Sequence, residues 1–443
     1  MLQLTACLKD LSALINSWPL IAFVVGVSAV CTLALKGLQF RSFFKAWRIT
    51  LFPSADSTQK EGGINPLQAF LNSLSISIGN GALAGVATAV ACGGPGTIFW
   101  MVAIGLLLMV VRFAEVYLSV VYKNDRPGQR LGGPIVYIRQ LIGGEWLSWI
   151  YTLCTLFFVF SMGNAIQANS IAVSLNKGWA ISPLVVAGIF LVFNLYTLLG
   201  GAKRILRISD AIVPVKVLLF FSTSLIIVVY HWQQLLPALS LIIKAAFTPE
   251  AIAGGAIGYT VKEAMRFGIF RSIFATEAGL GTAGILFGAT ESKRPMEDGL
   301  MAMLSTFIST LVCLLVGLCI VMSGAYLSGE TSTALTTAAY TTVFGWLGSW
   351  LVTALAISFG VGVQVAYAFV AREIWCYIFG DRTVMLFNAA FCAAAFFGAY
   401  ADAHILWYFG DVVNAGMLVI NLLAILALLG VVRKGMQAYE QRS

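Results

Sequence analysis

The stretch from Ile76 to Trp100 combines an apolar sequence with residues that interrupt helices. Six glycines punctuate it, and Asn80 lies where a membrane helix would pass the middle of the bilayer. In hydrocarbon, unwound backbone persists only where it is buried in protein or lines a cavity, because its N–H and C=O groups need partners. A Gly-Asn-Gly break near residues 79–82 therefore predicts backbone groups that act as ligands. Close helix packing through Gly81 and Gly85 is the alternative.

A second break is predicted near residues 274–281, in the sequence FGIFRSIFATEAGLGTAG. It contains Gly279, Gly281 and an acidic residue within an apolar segment, Glu277. An ionisable side chain at membrane depth is costly, so its presence indicates a functional or bracing role. We expect Glu277 to cap or brace the unwound segment, with Arg271 as its candidate partner.

A lysine also occurs within an apolar segment that is predicted to cross the membrane. Lys216 occurs in IVPVKVLLFF, and only five residues separate it from Asp210. If its ammonium group is buried, the cost of burial indicates a functional role. The long side chain could instead extend to the cytoplasmic surface. The sequence leaves both interpretations open.

The elements that must position these residues are transmembrane helices. Of the 443 residues, 59% are hydrophobic and 10% are charged, which excludes an ordinary soluble domain. Apolar runs of about 20 residues recur, the length that a helix needs to cross the hydrocarbon core. A transmembrane barrel would instead show alternating segments of about ten residues. The predicted fold class is therefore an all-α polytopic membrane protein.

Eleven transmembrane helices are predicted from the apolar runs and their charged flanks. They cover residues 15–35, 66–90, 97–121, 146–172, 181–199, 210–230, 266–288, 299–323, 347–374, 384–401 and 405–432. The breaks fall in the second and seventh helices, five helices apart. Because five is odd, the two segments enter the membrane in opposite directions, as in inverted repeats that bind substrate at broken helices.

The predicted organisation follows from this repeat. Residues 1–65 form an extra helix and a basic segment, 66–230 the first five-helix repeat, 231–432 the second, and 433–443 a tail. Residues 254–266 are predicted to form an amphipathic helix at the outer surface, because charged residues interrupt an apolar helical repeat. Residues 325–341 are small and polar, and are predicted to form an external loop.

Basic residues set the predicted orientation. They concentrate in the loops after odd-numbered helices and in the C-terminal tail, as Lys36, Arg41, Lys203 and Arg433 illustrate. By the positive-inside rule, the N-terminus lies outside and the C-terminus lies in the cytoplasm. The net charge of +8 is thus a topology signal, and no nucleic-acid partner is predicted.

Several motifs, in order and spacing, resemble the alanine or glycine sodium symporter family. They are LAGVATAVACGGPGTIFWM at 83–101, RFAE at 112–115, GGPIVYI at 132–138, GNAIQANSIA at 163–172, GGAKRI at 200–205 and FATEAGLGTA at 274–283. In the last helix, the resemblance extends to Trp407, Asp411, Asn414, Met417 and Asn421. It covers nearly the whole chain. It implies a leucine-transporter-type inverted-repeat core of ten helices, preceded by one extra helix.

The resemblance also implies a substrate site. In that family, the amino acid is held by unwound backbone of the two broken helices, a glutamine and an aromatic residue. The matching positions here are Gly79, Asn80, Gly81, Gln167, Phe274, Ala275, Thr276 and Tyr367. A substrate carboxylate suits the N–H groups of a half-helix N-terminus, and close backbone approach favours a small side chain such as that of alanine or glycine.

The resemblance implies sodium as the coupling ion, but this chain departs from the family where hydroxyl ligands are expected. The family's Ser-Thr pair falls on Gly362 and Val363, and its Trp falls on Tyr367. Sodium is a hard cation that needs several oxygen ligands. Related proton-coupled transporters of the superfamily carry a lysine in place of sodium, and Lys216 lies on the corresponding helix. We group Ser77, Lys216, Gly362 and Val363 as ion-coupling candidates, with sodium and protons as alternative ions.

Other intramembrane polar residues are predicted to be structural. Arg112 and Glu115 lie one helical turn apart and are expected to neutralise each other. Asp411, Asn414 and Asn421 share one helical face, where hydrogen bonds between helices are expected.

The predicted function is secondary active import of a small neutral amino acid, alanine or glycine, with sodium across the bacterial inner membrane by alternating access. Sodium-independent, proton-coupled transport that uses Lys216 in place of the cation is the alternative. A membrane-embedded transferase, the alternative from another class, would need a cluster of His, Asp, Ser or Cys near an interface, and the sequence has none. No enzymatic activity, metal site or resident cofactor is predicted. The expected partners are the amino acid and membrane lipid.

The predicted orientation can be tested with reporters fused after Ser443. Green fluorescent protein is expected to fluoresce there, and alkaline phosphatase to be inactive, because the basic tail keeps the C-terminus in the cytoplasm. Measuring both signals in intact cells checks the orientation. An active phosphatase fusion would contradict it.

Overall fold

The structure is a computed structural model that describes residues 17–52, 64–126, 129–248, 250–251, 258–401 and 403–441. Its α-helices are Trp18–Ala34, Leu38–Arg41, Phe43–Leu51, Pro66–Ser77, Asn80–Gly93, Gly96–Val121, Pro134–Tyr137, Gly144–Phe160, Ile166–Trp179, Pro183–Leu199, Gly201–Tyr230, Leu235–Phe247, Val261–Thr276, Thr282–Gly288, Pro295–Met322, Ser332–Phe344, Trp346–Phe379, Val384–Gly398, Ala403–Ala427 and Leu429–Glu440. The strands described form two short antiparallel hairpins, Asn124–Arg126 with Gln129–Leu131 and Glu250–Ala251 with Gly258–Tyr259. The all-α prediction is confirmed.

Seven segments of the described chain are long and apolar enough to cross a membrane. They are Pro66–Gly93, Gly96–Val121, Gly144–Asn176, Gly201–Tyr230, Pro295–Met322, Trp346–Phe379 and Leu406–Ala427. Trp18–Ala34 and Pro183–Leu199 are shorter apolar helices at two further predicted positions. The total of eleven stays a prediction, because the remaining positions, 266–288 and 384–401, also correspond to shorter helices.

The first broken helix consists of Pro66–Ser77 and Asn80–Gly93. It begins with a capping box, in which the Asn65 side chain and that of Gln68 each accept a hydrogen bond from the other residue's backbone N–H. The helix is interrupted at Ile78 and Gly79, one residue before the predicted start of the break. Close approach explains the glycine, because a Cβ at position 79 would lie 2.7 Å from a Val363 methyl carbon.

The second broken helix consists of Val261–Thr276 and Thr282–Gly288. The first half ends because Glu277 adopts a left-handed backbone conformation, with φ of 52°. Gly279 and Gly281 follow with φ of 91° and 92°, values that glycine adopts without steric cost. The unwound stretch is therefore 277–281. The expectation that residues 274–276 are unwound was wrong, because they form the last turn of the preceding helix.

Two further predicted segments differ from the structure. Of the predicted amphipathic helix at 254–266, residues 254–257 lie outside the described residues, Gly258–Tyr259 is a strand, and residues 261–266 belong to the helix Val261–Thr276. The predicted loop at 325–341 is largely helical, because Ser332–Phe344 presents a buried face four residues apart, at Leu335 and Ala339. This helix packs against the second half of the first broken helix, Asn80–Gly93, where the Thr336 hydroxyl donates to the Leu83 carbonyl at 3.1 Å.

The two broken helices lie together in the interior. Gly96–Val121, Pro295–Met322 and Trp346–Phe379 pack around them. Both breaks are therefore lined by protein side chains, as unwound backbone at membrane depth requires.

Candidate functional site

Lys216 lies against the first break. Its side chain is 0% exposed, so the alternative in which it extends to the cytoplasmic surface is wrong. Lys216 Nζ donates to the carbonyl oxygens of Ser75 at 2.8 Å and Ile78 at 2.9 Å, and to Ser75 Oγ at 3.0 Å. The end of a helix leaves carbonyls without intrahelical donors and carries the negative end of its dipole. The ammonium group supplies the missing donors and a compensating charge.

Glycine at position 362 makes room for this ammonium group. A Cβ there would lie 2.7 Å from Lys216 Nζ and 3.1 Å from Ser75 Oγ. Ser75 Oγ in turn donates to the Gly362 carbonyl at 2.8 Å. The next residue, Val363, contacts Gly79 at the break. The structure therefore brings Lys216, Gly362 and Val363 together around the first break, and adds Ser75, which sequence reasoning missed.

Serine hydroxyls join the two broken helices. Ser77 Oγ lies 3.3 Å from the Thr276 carbonyl oxygen and 3.0 Å from that of Ser73. Ser309 Oγ lies 2.7 Å from the Ala275 carbonyl oxygen and 3.4 Å from that of Ser77. Ser77 thus contacts the second broken helix. The carbonyls of Ala275 and Thr276 already have protein donors, so other groups at the breaks are better placed to bind a ligand.

The predicted ion pair between Arg112 and Glu115 is confirmed. The two side chains are 1% and 0% exposed, and their charged atoms lie 3.1 Å apart. Arg112 Nη2 donates to the Thr276 carbonyl at 2.6 Å, and the Glu115 carboxylate accepts from the N–H groups of Gly279 at 3.0 Å and Gly284 at 3.3 Å. Charged hydrogen bonds are stronger than neutral ones. The pair therefore holds both ends of the second break.

Glu277 is held by different partners from the one predicted. Its Oε2 accepts from the Tyr367 hydroxyl at 2.5 Å and from Thr282 Oγ1 at 3.3 Å. Arg271 instead donates through Nη2 to the Gly81 carbonyl at 2.5 Å. The expected pairing of Glu277 with Arg271 was wrong, because the guanidinium group turns toward the first broken helix.

Gly81 and Gly85 form a notch that accommodates Arg271. A Cβ at Gly85 would overlap the guanidinium group, and one at Gly81 would lie 3.2 Å from Nη2. Asp411, in the helix Ala403–Ala427, interacts electrostatically with Arg271. The small-residue face predicted at these glycines thus exists, but it accommodates an arginine side chain.

The helix Ala403–Ala427 contributes to both the second break and a small cavity. Asn421 Nδ2 donates to the Gly279 carbonyl at 2.8 Å, and its Oδ1 accepts from the Tyr137 hydroxyl. Hydrogen bonding between helices is therefore confirmed for Asn421. Asp411 and Asn414 line the small cavity, together with Phe274 of the second broken helix.

Asn80 and Gln167, both implied in the substrate site, are buried with unpaired polar atoms. Asn80 is 6% exposed, and neither of its amide atoms has a partner among the described residues. Gln167 is 8% exposed and donates to the Met162 carbonyl at 3.1 Å, whereas its Oε1 has no partner there. Buried polar atoms nearly always have partners, so these atoms indicate a ligand site.

A π-helical segment, Ser161–Ala165, precedes Gln167. Such segments often occur at functional sites. Gly163 lies within it, and a Cβ there would lie 2.6 Å from the Tyr367 ring. Tyr367 therefore packs closely against this segment, which limits the space available between the two helices.

A family model described as the sodium:alanine symporter family matches residues 1–443. The sodium/alanine symporter AgcS of Methanococcus maripaludis is 30% identical, over 95% of this chain and 94% of its own length. The putative sodium/proton-dependent alanine carrier protein YrbD of Bacillus subtilis is 31% identical, over 98% and 92%. A manganese transporter of Eremococcus coleocola is 14% identical, with a TM-score of 0.52 over 80% of this chain and 75% of its own, a likeness of fold alone.

Replacing Gly85 with alanine is expected to destabilise the protein and impair transport. The added methyl group would overlap the Arg271 guanidinium group and displace it from the Gly81 carbonyl, and such overpacking typically costs about 1–3 kcal/mol. Thermal unfolding of the purified protein and uptake by proteoliposomes measure the two effects. Gly188→Ala is the control, because nothing lies within 4 Å of its added Cβ. Equal behaviour of the two variants would contradict the proposed notch.

Proposed function

The chain belongs to the sodium:alanine symporter family, and from this premise we propose that it imports a small neutral amino acid of the size of alanine or glycine, coupled to a proton on Lys216. Its family is a family of transporters, so it is a transporter and not an enzyme. Cation-coupled symport of amino acids follows from the family. The choice of substrate and coupling ion is our proposal, as is the orientation with the C-terminus in the bacterial cytoplasm.

The first break supports an amino-acid site. The half-helix Asn80–Gly93 begins after Gly79, which has no side chain to cap it. The Ala82 N–H donates to the Gly79 carbonyl at 2.8 Å, but the preceding N–H groups, those of Asn80 and Gly81, lie where a helix offers no acceptor, and the positive end of the helix dipole favours a carboxylate there. Val363 packs against Gly79 and Tyr367 packs against the π-helical segment, and this close packing favours a substrate with a small side chain.

The coupling proposal rests on one observation, the position of Lys216 Nζ. It lies within 2.8–3.0 Å of three neutral oxygen atoms at the break, the kind of oxygen ligands that a sodium ion would use. A sodium ion beside the ammonium group would be repelled by a like charge at close range. One positive charge is therefore expected at this place, and Lys216 supplies it.

Proton transfer at Lys216 gives a physical basis for coupling. The protonated amine has three donors and a charge with which to hold the first broken helix. A neutral amine loses the charge and one donor, so its hold on the Ser75 and Ile78 carbonyls weakens. Protonation thus favours the packing of Gly201–Tyr230 against the first broken helix, and deprotonation favours its release. Alternating access needs such a two-state contact.

Sodium coupling is the second candidate. It is favoured by the names of the relatives, since AgcS is called a sodium/alanine symporter and YrbD a putative sodium/proton-dependent carrier. In this case, backbone carbonyls at the break would hold the ion while Lys216 remained a structural residue.

Uptake of radiolabelled alanine into proteoliposomes separates the two candidates. We expect an inward proton gradient to drive accumulation without sodium, and Lys216→Met to abolish that accumulation, because methionine has no proton to exchange. Lys244→Met is the control, since Lys244 is exposed on the helix Leu235–Phe247. Uptake that requires sodium, ignores the proton gradient and survives Lys216→Met would establish the second candidate.

A paired substitution tests whether Lys216 and Gly362 share one space. Gly362→Ser alone is expected to lower stability, because its Cβ would lie 2.7 Å from Lys216 Nζ. Lys216→Ala removes the ammonium group and makes room for the new hydroxyl. The double variant is therefore expected to be more stable than the sum of the single effects, with a coupling energy of about 0.5–3 kcal/mol. Strict additivity in thermal unfolding would contradict the shared space.

A further inference from the structure

The charged groups of a bound amino acid can be paired without the Asn80 side chain. The backbone N–H groups of Asn80 and Gly81, at the start of the half-helix, suffice for the carboxylate. Both amide atoms of Asn80 remain buried and unpaired within the described part of the chain. A carboxamide carries two donors and an acceptor, and leaving all of them unpaired in the interior is unfavourable. Some other group of the substrate is therefore needed to satisfy them.

We propose that this group is a side-chain hydroxyl, and that Asn80 selects serine over apolar amino acids of similar size. A hydroxyl is both a donor and an acceptor, so it can pair with either atom of the amide. The inference rests on the proposed function and specifies its substrate class. Asn80 acts here as a residue that determines specificity within the site.

The surroundings of Asn80 fix where the hydroxyl would lie. A Cβ at Gly360 would lie 2.8 Å from Asn80 Nδ2 and 2.7 Å from Ile171 Cδ1. Asn80, Gly360 and Ile171 therefore meet at one place. Ile171 lies one helical turn beyond Gln167, on the same face of its helix. The unpaired Asn80 amide thus lies beside the face that carries the unpaired Gln167 oxygen.

The size of this space favours serine over larger polar amino acids. A methyl group added at Gly79 would clash with Val363, and one added at Gly163 would clash with the Tyr367 ring. A hydroxymethyl group adds one heavy atom to the alanine side chain. An asparagine or glutamine side chain adds three or four, and would need displacement of the Tyr367 ring or of the break itself.

We expect the site to bind an analogue that has the size of serine but lacks its hydroxyl much more weakly than serine itself. Sites built to hydrogen-bond a substrate hydroxyl reject such analogues much more strongly than apolar pockets reject a missing methylene. L-2-Aminobutyrate is the matched analogue, because a methyl group replaces the hydroxyl of serine. Its side chain would leave the Asn80 amide buried and unpaired.

The experiment measures inhibition of radiolabelled alanine exchange in proteoliposomes that contain the full-length protein. Unlabelled L-serine and L-2-aminobutyrate are the competitors. We expect serine to inhibit at a concentration at least tenfold lower than 2-aminobutyrate. In Asn80→Leu, which replaces the amide with an apolar group of similar volume, we expect the ratio of the two inhibitory concentrations to fall to about one.

The ratio is taken within each variant, so it does not depend on how much active protein is reconstituted. Asn194→Leu is the control, because Asn194 is also buried with an unpaired amide nitrogen among the described residues, but lies on the peripheral helix Pro183–Leu199. It is expected to keep the wild-type ratio.

The outcomes separate this inference from the function on which it rests. Equal inhibition by serine and 2-aminobutyrate in the wild type overturns the selection of a hydroxyl, even if Asn80→Leu cannot be purified, and leaves amino-acid transport intact. A serine preference that persists in Asn80→Leu overturns the assignment to Asn80. If alanine is neither exchanged nor accumulated, the proposed function itself fails.

Discussion

Backbone carbonyls at an interrupted helix cannot remain unpaired inside a membrane, and the rest of this structure is arranged around that constraint. At the first break, Lys216 donates hydrogen bonds to the carbonyls of Ser75 and Ile78. At the second, Arg112 donates to the carbonyl of Thr276, and Asn421 donates to that of Gly279. Each donor comes from a different helix. The breaks therefore determine which helices must carry polar residues and at what depth.

Charge is distributed unequally between the two breaks. The second break is held by an ion pair, Arg112 with Glu115, in which each charge has an opposite neighbour. At the first break, the hydrogen bonds of Lys216 all go to neutral oxygens. A buried ion pair is costly to separate, whereas an ammonium group among neutral dipoles can lose its proton and stay in place. The second break is thus suited to a structural role, and the first to a change of charge during the transport cycle.

The fold and the positions of the breaks could be predicted from sequence because apolar length and glycine placement are local signals. The partners of polar groups could not. Glu277 was expected to pair with Arg271. The Arg271 side chain instead lies in the notch at Gly81 and Gly85 and donates to the other broken helix. Ser75 was missed for the same reason, since a serine in a helix carries no sign of the lysine that approaches it. Gly362 was grouped with Lys216 through the family resemblance, but the close approach of these two residues, 146 positions apart in sequence, is a tertiary contact that no local pattern indicates.

Sodium binding by the purified protein tests the central claim, that Lys216 occupies the place of a coupling cation. Thermal unfolding is measured in increasing sodium chloride, with choline chloride keeping ionic strength constant. A ligand that binds the folded state raises the unfolding temperature with its concentration. We predict the same unfolding temperature in both salts, because the ammonium group already bonds the oxygens at the first break. A saturable, sodium-specific increase in the wild-type protein would contradict the account.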